Sequence, residues 1–308
     1  MKIINGICTI ILILSIVLFG RYYHNRLKNL DIDGPTIQID QELLEISIHD
    51  GEDVLYQGVT AYDTKDGDVT ESIGIENISD FLEDTICQID YVAFDKDNHV
   101  SRASRRIKYV DYTSPVYRLT KPLRFQSSNR NVDILENVYA EDCIDGDISK
   151  QIIFSEDSRI YVNVPAEYAV TFIVTNSVGD TQELPVTVTI YDYTEEFRNP
   201  RIELTDYLIY VKQGEEINYY DYIESVTYYS KTYTVTDERG TYMVDTSEMS
   251  KEERERFAEE EPAVNKDLFD ITNQADTSIP GVYEVDYAID GTDRDRGTMK
   301  LVVVVKGE

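Results

Sequence analysis

"AYDTKDGDVT", residues 61–70, returns 79 positions later as "AEDCIDGDIS", residues 140–149. Both stretches carry the frame A-x-D-x-x-D-G-D, then Val or Ile, then Thr or Ser. A catalytic site is seldom duplicated at such a distance, whereas a folded module is, so the repeat sets the architecture. Reading outward, the closures repeat as well: "VDYT" at 110–113 comes back as "YDYT" at 191–194. Modules of about 80 residues suit a seven-strand sandwich.

Around these marks run short segments rich in Val, Ile, Thr and Tyr that alternate with period two. "LLEISI", "ICQIDYVAF", "RRIKYV", "RIYVNV", "YAVTFIVT", "LPVTVTIYDY", "YLIYV", "VYEVDYAI" and "MKLVVVV" all read as strands. With almost no helical pattern between them, the fold class is all-β, three tandem immunoglobulin-like β-sandwiches after an N-terminal transmembrane helix. The domain reading is anchor and basic flank 1–30, then sandwiches 31–113, 114–196 and 197–308. "NPRIELT" opens the third module in the manner of "SPVYRLT", but that module lacks the D-G-D element and carries an insertion at about 229–265. Within it, "SKEERERFAEEEP" spaces Ser250 and Glu253 as a capping box and stops at Pro262, which predicts a short solvated helix. A partly disordered charged insertion is the alternative there.

Three features together resemble bacterial immunoglobulin-like domains: the D-G-D-[VI]-[TS] frame, the late strand "GVYEVDYAID", and the closure "VDYTSP". The nearest likeness is to hyalin-repeat-like modules and the C-terminal Ig-like modules of insecticidal crystal toxins. It covers residues 35 to about 195 well and the third module weakly; in the first module "FLEDTICQIDYVAFD" lacks the Gly that the pattern places before the late strand. The resemblance implies tandem extracellular modules on a membrane-anchored surface protein. It speaks to fold and little to function.

"IINGICTIILILSIVLFG", residues 3–20, carries no charge. At ~1.5 Å per residue its helix spans about 27 Å, near the roughly 30 Å hydrocarbon core of a bilayer. A cleaved signal peptide is the competing reading, but no A-x-A-like site follows, so we favour an uncleaved signal-anchor, single-pass, holding the cell membrane through residues 3–20. Lys2 stands on one side, and Arg21, Arg26 and Lys28 on the other. Those flanking charges argue against an external C-terminal part. The module type argues for it, and the expectation is that the C-terminal domains are extracellular.

The remaining composition narrows the chemistry. With 29 basic and 59 acidic residues the formal charge is −30, which repels phosphate and excludes nucleic acid as a partner. Cys8, Cys87 and Cys143 fall one to a segment, so no module holds a pair to bridge. The three histidines are His24, His49 and His99, and no zinc, nucleophile-elbow or phosphate-loop motif occurs; the reading is not an enzyme.

Two binding candidates remain. Asp63, Asp66 and Asp68, and likewise Asp142, Asp145 and Asp147, offer hard oxygen ligands on a tight Gly turn, which makes calcium a candidate cofactor. The alternative is a turn whose Asp side chains bond local N–H groups. Tyr219, Tyr220, Tyr222, Tyr228 and Tyr229 crowd the third module, and Tyr suits stacking on a protein or glycan ligand, though most Tyr in sheets simply pack. The functional expectation is cell-surface binding or adhesion with the third domain as contact module. A structural or accessory subunit of a membrane or envelope complex is the alternative.

Overall fold

A computed structural model describes residues 2–28, 33–127, 132–292 and 295–307. The chain opens with the helix Lys2–Lys28. Its stretch Gly6–Arg26 has mean hydropathy 1.9 and none of it is buried, so by length and composition it can cross a membrane as an anchor or serve as a signal sequence. The chain divides into two compact units, Met1–Tyr112 and Thr113–Glu308. The first contains one β-sandwich and the second contains two.

All three sandwiches share one device, a first strand that changes sheets. Thr36–Ile39 pairs antiparallel with Val59–Asp63, and after a short break Leu43–Ile46 pairs parallel with Val100–Tyr109 in the opposite sheet. Val116–Leu119 and Arg124–Gln126 repeat this against Val138–Asp142 and Thr181–Tyr191. Arg201–Leu204 and Leu208–Lys212 repeat it against Ile223–Tyr228 and Arg296–Lys306. The break is stitched alike each time: the N–H groups of Asp40, Thr120 and Thr205 donate to Gly58, Asn137 and Tyr222 carbonyls. One strand thereby closes an edge on both sheets.

Alternation supplies the cores. In Ile86–Phe94 the residues Cys87, Ile89, Tyr91 and Ala93 are fully buried while their neighbours face outward. Buried tyrosines need partners for their hydroxyls. Tyr91 donates to the Leu55 carbonyl at 2.5 Å, and Tyr287 to the Tyr219 carbonyl at 2.9 Å, each tying a short helical turn to its core. Buried Arg105 reinforces the first of these, donating to Tyr91 Oη and to the Gln57 and Leu55 carbonyls.

"RIYVNV" is not a strand. Residues 159–164 form a turn-containing loop in which Ile160 and Val162 pack on the core and Tyr161 is exposed. The alternation there reflects one-sided burial without a neighbouring strand to pair with. The insertion does form a helix, Lys251–Glu259, with Ser250 as N-cap and a complete capping box to Glu253.

The last strand explains its own composition. Leu301, Val303 and Val305 enter the third core, while Val302 joins the second sandwich's cluster together with Leu208. Partly buried Val282, Val304 and Tyr210 pack there too. A strand covered on both faces reads as an unbroken apolar run, which is what "LVVVV" is. We expect Val302→Asp to destabilise the second unit by more than ~3 kcal/mol, much as Val303→Asp would. Urea unfolding checks this; a Val302→Asp cost within ~0.5 kcal/mol, the surface norm, would refute burial of the outer face.

Candidate functional site

Every letter of the repeated frame has a structural task. Ala61 and Ala140 are buried. Asp63 Oδ1 accepts the N–H groups of Lys65 and Asp66 at 2.8 and 2.7 Å, and Asp142 Oδ1 accepts those of Ile144 and Asp145 at 2.8 and 2.9 Å. These are Asx turns, and the next residue but three must bend back: Gly67 and Gly146 have φ of 79° and 69°. Asp68 accepts the Thr70 N–H at 3.0 Å; Asp147 accepts Ser149 N–H at 2.9 Å and its hydroxyl at 2.6 Å. Thr70 and Ser149 hydroxyls in turn accept the N–H of Ala61 and Ala140, both at 3.1 Å.

The middle aspartates reach across to the loop joining the last two strands. Asp66 Oδ2 accepts the Lys96 N–H at 3.0 Å, and Asp145 accepts the Ser177 N–H at 2.6 Å and hydroxyl at 2.7 Å. Lys65 pairs with Asp97 in the first module. In the second, buried Asn176 donates to Asp142 Oδ2 at 3.0 Å. The six carboxylates therefore clamp one end of each sandwich. Among the described residues no group of three His, Cys, Asp or Glu side chains is placed to hold a metal ion.

Hydrogen bonding from Thr70, through its side chain first and its backbone N–H second, holds Asp68 below the ordinary carboxyl value of 3.8. Ser149 does the same to Asp147. A depressed folded value stabilises the fold above 3.8, and that contribution disappears as pH falls below it. Cys87 goes the other way: burial, then the nearby Asp80 charge, push its thiol up to about 11, so it is an unreactive core residue. Cys143 is half-buried and donates to the Thr113 carbonyl at 3.1 Å.

In the third module the place of the D-G-D turn is taken by a hairpin, Ile223–Tyr228 with Lys231–Thr236. Its two turn residues, Tyr229 and Ser230, have φ of 47° and 62°, a conformation that usually calls for Asn or Gly. The tyrosines divide around it. Tyr219 and Tyr228 are core residues, and Tyr220 and Tyr222 lean on that core. Tyr229 is 63% exposed, its ring 4.3 Å from that of Tyr228. Tyr228 Oη accepts the Thr292 N–H at 2.7 Å and shares a 2.6 Å contact with its hydroxyl. Tyr242, which sequence reasoning passed over, completes the cluster edge-on to Tyr233 at 5.0 Å.

A third feature lies between the second and third sandwiches: a cleft of about 330 Å³ floored by Leu119, Leu123 and Val302. Its sides are locked across the joint. Thr187 donates its N–H and hydroxyl to Glu284 at 2.7 and 2.6 Å, and the Tyr117 N–H donates to Tyr210 Oη at 2.6 Å. Arg124 stacks over Tyr191 at 4.7 Å and donates to the Thr298 carbonyl at 3.1 Å. Burial works to lower the Lys300 pKa, but Asp286 at 2.6 Å outweighs it and raises the value above the ordinary one. Only the unbroken "LVVVV" run hints at this joint in the sequence.

No family model matches the chain. A curated relative, an uncharacterized 81.3 kDa protein of Acholeplasma phage L2, is 28% identical over 120 residues, covering 38% of this chain and 16% of that protein. The CBM51-2 and INT domains of Clostridium perfringens ZmpB, in complex with GlcNAc, are 20% identical over 49% of this chain and 26% of that one, with a TM-score of 0.21. The lipoprotein BT2262 of Bacteroides thetaiotaomicron is 15% identical over 61% of this chain and 98% of that one, with a TM-score of 0.23. Scores of this size carry no argument about function, and the fold stands on its strand pairings.

Asp142→Ala, which removes a buried carboxylate and leaves three N–H donors without their acceptor, is expected to cost about 2–4 kcal/mol in urea unfolding at neutral pH. Asp147→Ala, at an exposed position, should cost under about 1 kcal/mol. Melting temperature should not change between calcium and chelator. A calcium-dependent rise abolished by Asp142→Ala would make these turns metal sites.

Proposed function

We propose that this chain is a membrane-anchored, non-enzymatic surface protein of the bacterial immunoglobulin-like kind, which binds or adheres through its third sandwich. The observation that carries this reading is the hairpin tip. Two non-glycine residues, Tyr229 and Ser230, hold left-handed backbone there, and a third, Met243, does so in the insertion. Strain of this sort persists where a side chain must be presented rather than where the chain is free to relax. What is presented is apolar: Tyr229 is 63% exposed and Met243 46%. The tip replaces a turn whose counterparts in the other two modules are committed to internal hydrogen bonds. A charge of −30 keeps the modules clear of anionic surfaces, and the helix Lys2–Lys28 supplies the attachment.

Two measurements test this. Beads bearing the full chain in a supported lipid layer should be retained on surfaces coated with deglycosylated cell-surface protein. Tyr229→Ser should reduce retention at least tenfold with an unchanged melting temperature. Equal retention of wild type and variant, or none by the wild type, would overturn the reading. Protease added to intact cells should remove the C-terminal modules, and their protection would place them inside.

A further inference from the structure

The charged lining of the cleft between the second and third sandwiches departs from the rest of the chain. Acidic residues outnumber basic ones 59 to 29 overall. The cleft is lined by three of each, Arg124, Arg296 and Lys300 with Glu167, Glu284 and Asp286. We infer that this cleft binds a neutral saccharide of one or two rings. The inference goes beyond the hairpin tip, because it gives the same pair of sandwiches a separate contact with a named ligand class.

Four properties converge on that class. Balanced charge gives no net attraction for a phosphate or a metal cation. Donors and acceptors stand side by side, and a sugar hydroxyl is the group that both donates and accepts. Pro122 and Tyr207, both partly exposed in the lining, give an apolar surface to the C–H face of a ring. A volume of about 330 Å³ falls at the lower end of the roughly 300–1,000 Å³ usual for small-ligand sites, which also favour domain joints.

The polar groups are held before any ligand arrives. Arg296 is fixed between Asp270 and Asp290, both at 2.6 Å, and Glu284 by the two donors of Thr187. Lys300 is fixed by Asp286, yet its distance to Glu167 across the joint is 3.8 Å, too long for a hydrogen bond. A hydroxyl can bridge that gap, accepting from the third module's Lys300 and donating to the second module's Glu167. Side chains already ordered lose little entropy on binding.

Saturation-transfer NMR on the full chain in lipid nanodiscs, with galactose, N-acetylglucosamine and lactose as probes, tests the site. At least one sugar should bind saturably. Glu167→Gln, an exposed rim position, should weaken it tenfold or more, as should Lys300→Gln, with melting temperature as the check on folding. Tyr229→Ser should leave it unchanged. Absence of saturable binding by all three sugars would overturn the inference. So would full retention in Glu167→Gln, or a loss in Tyr229→Ser instead, the last assigning sugar binding to the hairpin tip.

Discussion

Burial of the final strand, Arg296–Lys306, on both of its faces is the constraint on which the second unit depends. Leu301 and Val303 are fully buried in the third sandwich, and Val302, at 3% exposure, is buried on the second. Each such valine contributes about 1.5–3 kcal/mol relative to exposure. That contribution exists only while both sandwiches are folded and in contact. The polar contacts of the joint, Thr187 to Glu284 and Tyr117 to Tyr210, are part-buried and add to that apolar contact.

The consequences run in both directions from that strand. Its parallel pairing with Leu208–Lys212 fixes where the split first strand enters the second sheet. Its antiparallel pairing with Gly281–Asp290 sets Glu284 and Asp286 on the outer face beside Lys300. Binding chemistry at the cleft is therefore a product of packing. The hairpin tip has a different origin: it is a local replacement of a turn, and its exposed Tyr229 owes nothing to the joint.

Legibility in the sequence followed the range of the interactions. The D-G-D turns were readable because the bonds that form the turn itself lie within nine residues, whereas the bonds of Asp66 and Asp145 to the loop between the last two strands were not legible. The third module's turn was not readable, because Tyr-Ser is a poor choice for left-handed backbone and only the surrounding cluster holds it there. The crowd of tyrosines could not be sorted into core and surface by position alone. Tyr219 and Tyr228 are interior because Ala275 and Thr292 satisfy their hydroxyls from 56 and 64 residues away. The cleft was invisible for the same reason, its contacts joining residues 97 and 174 positions apart. "RIYVNV" shows the converse error, an alternating pattern with no strand to pair with.

Native-state hydrogen exchange is the most direct test that the second and third sandwiches fold as one body around their shared strand. Amides of Phe172 and Val188 report on one core, and those of Leu301 and Val303 on the other. The account predicts that all four exchange only by unfolding of the whole unit, with the same free energy and the same denaturant dependence. Exchange of the third sandwich's amides at a distinctly lower free energy, while Phe172 and Val188 stay protected, would contradict it.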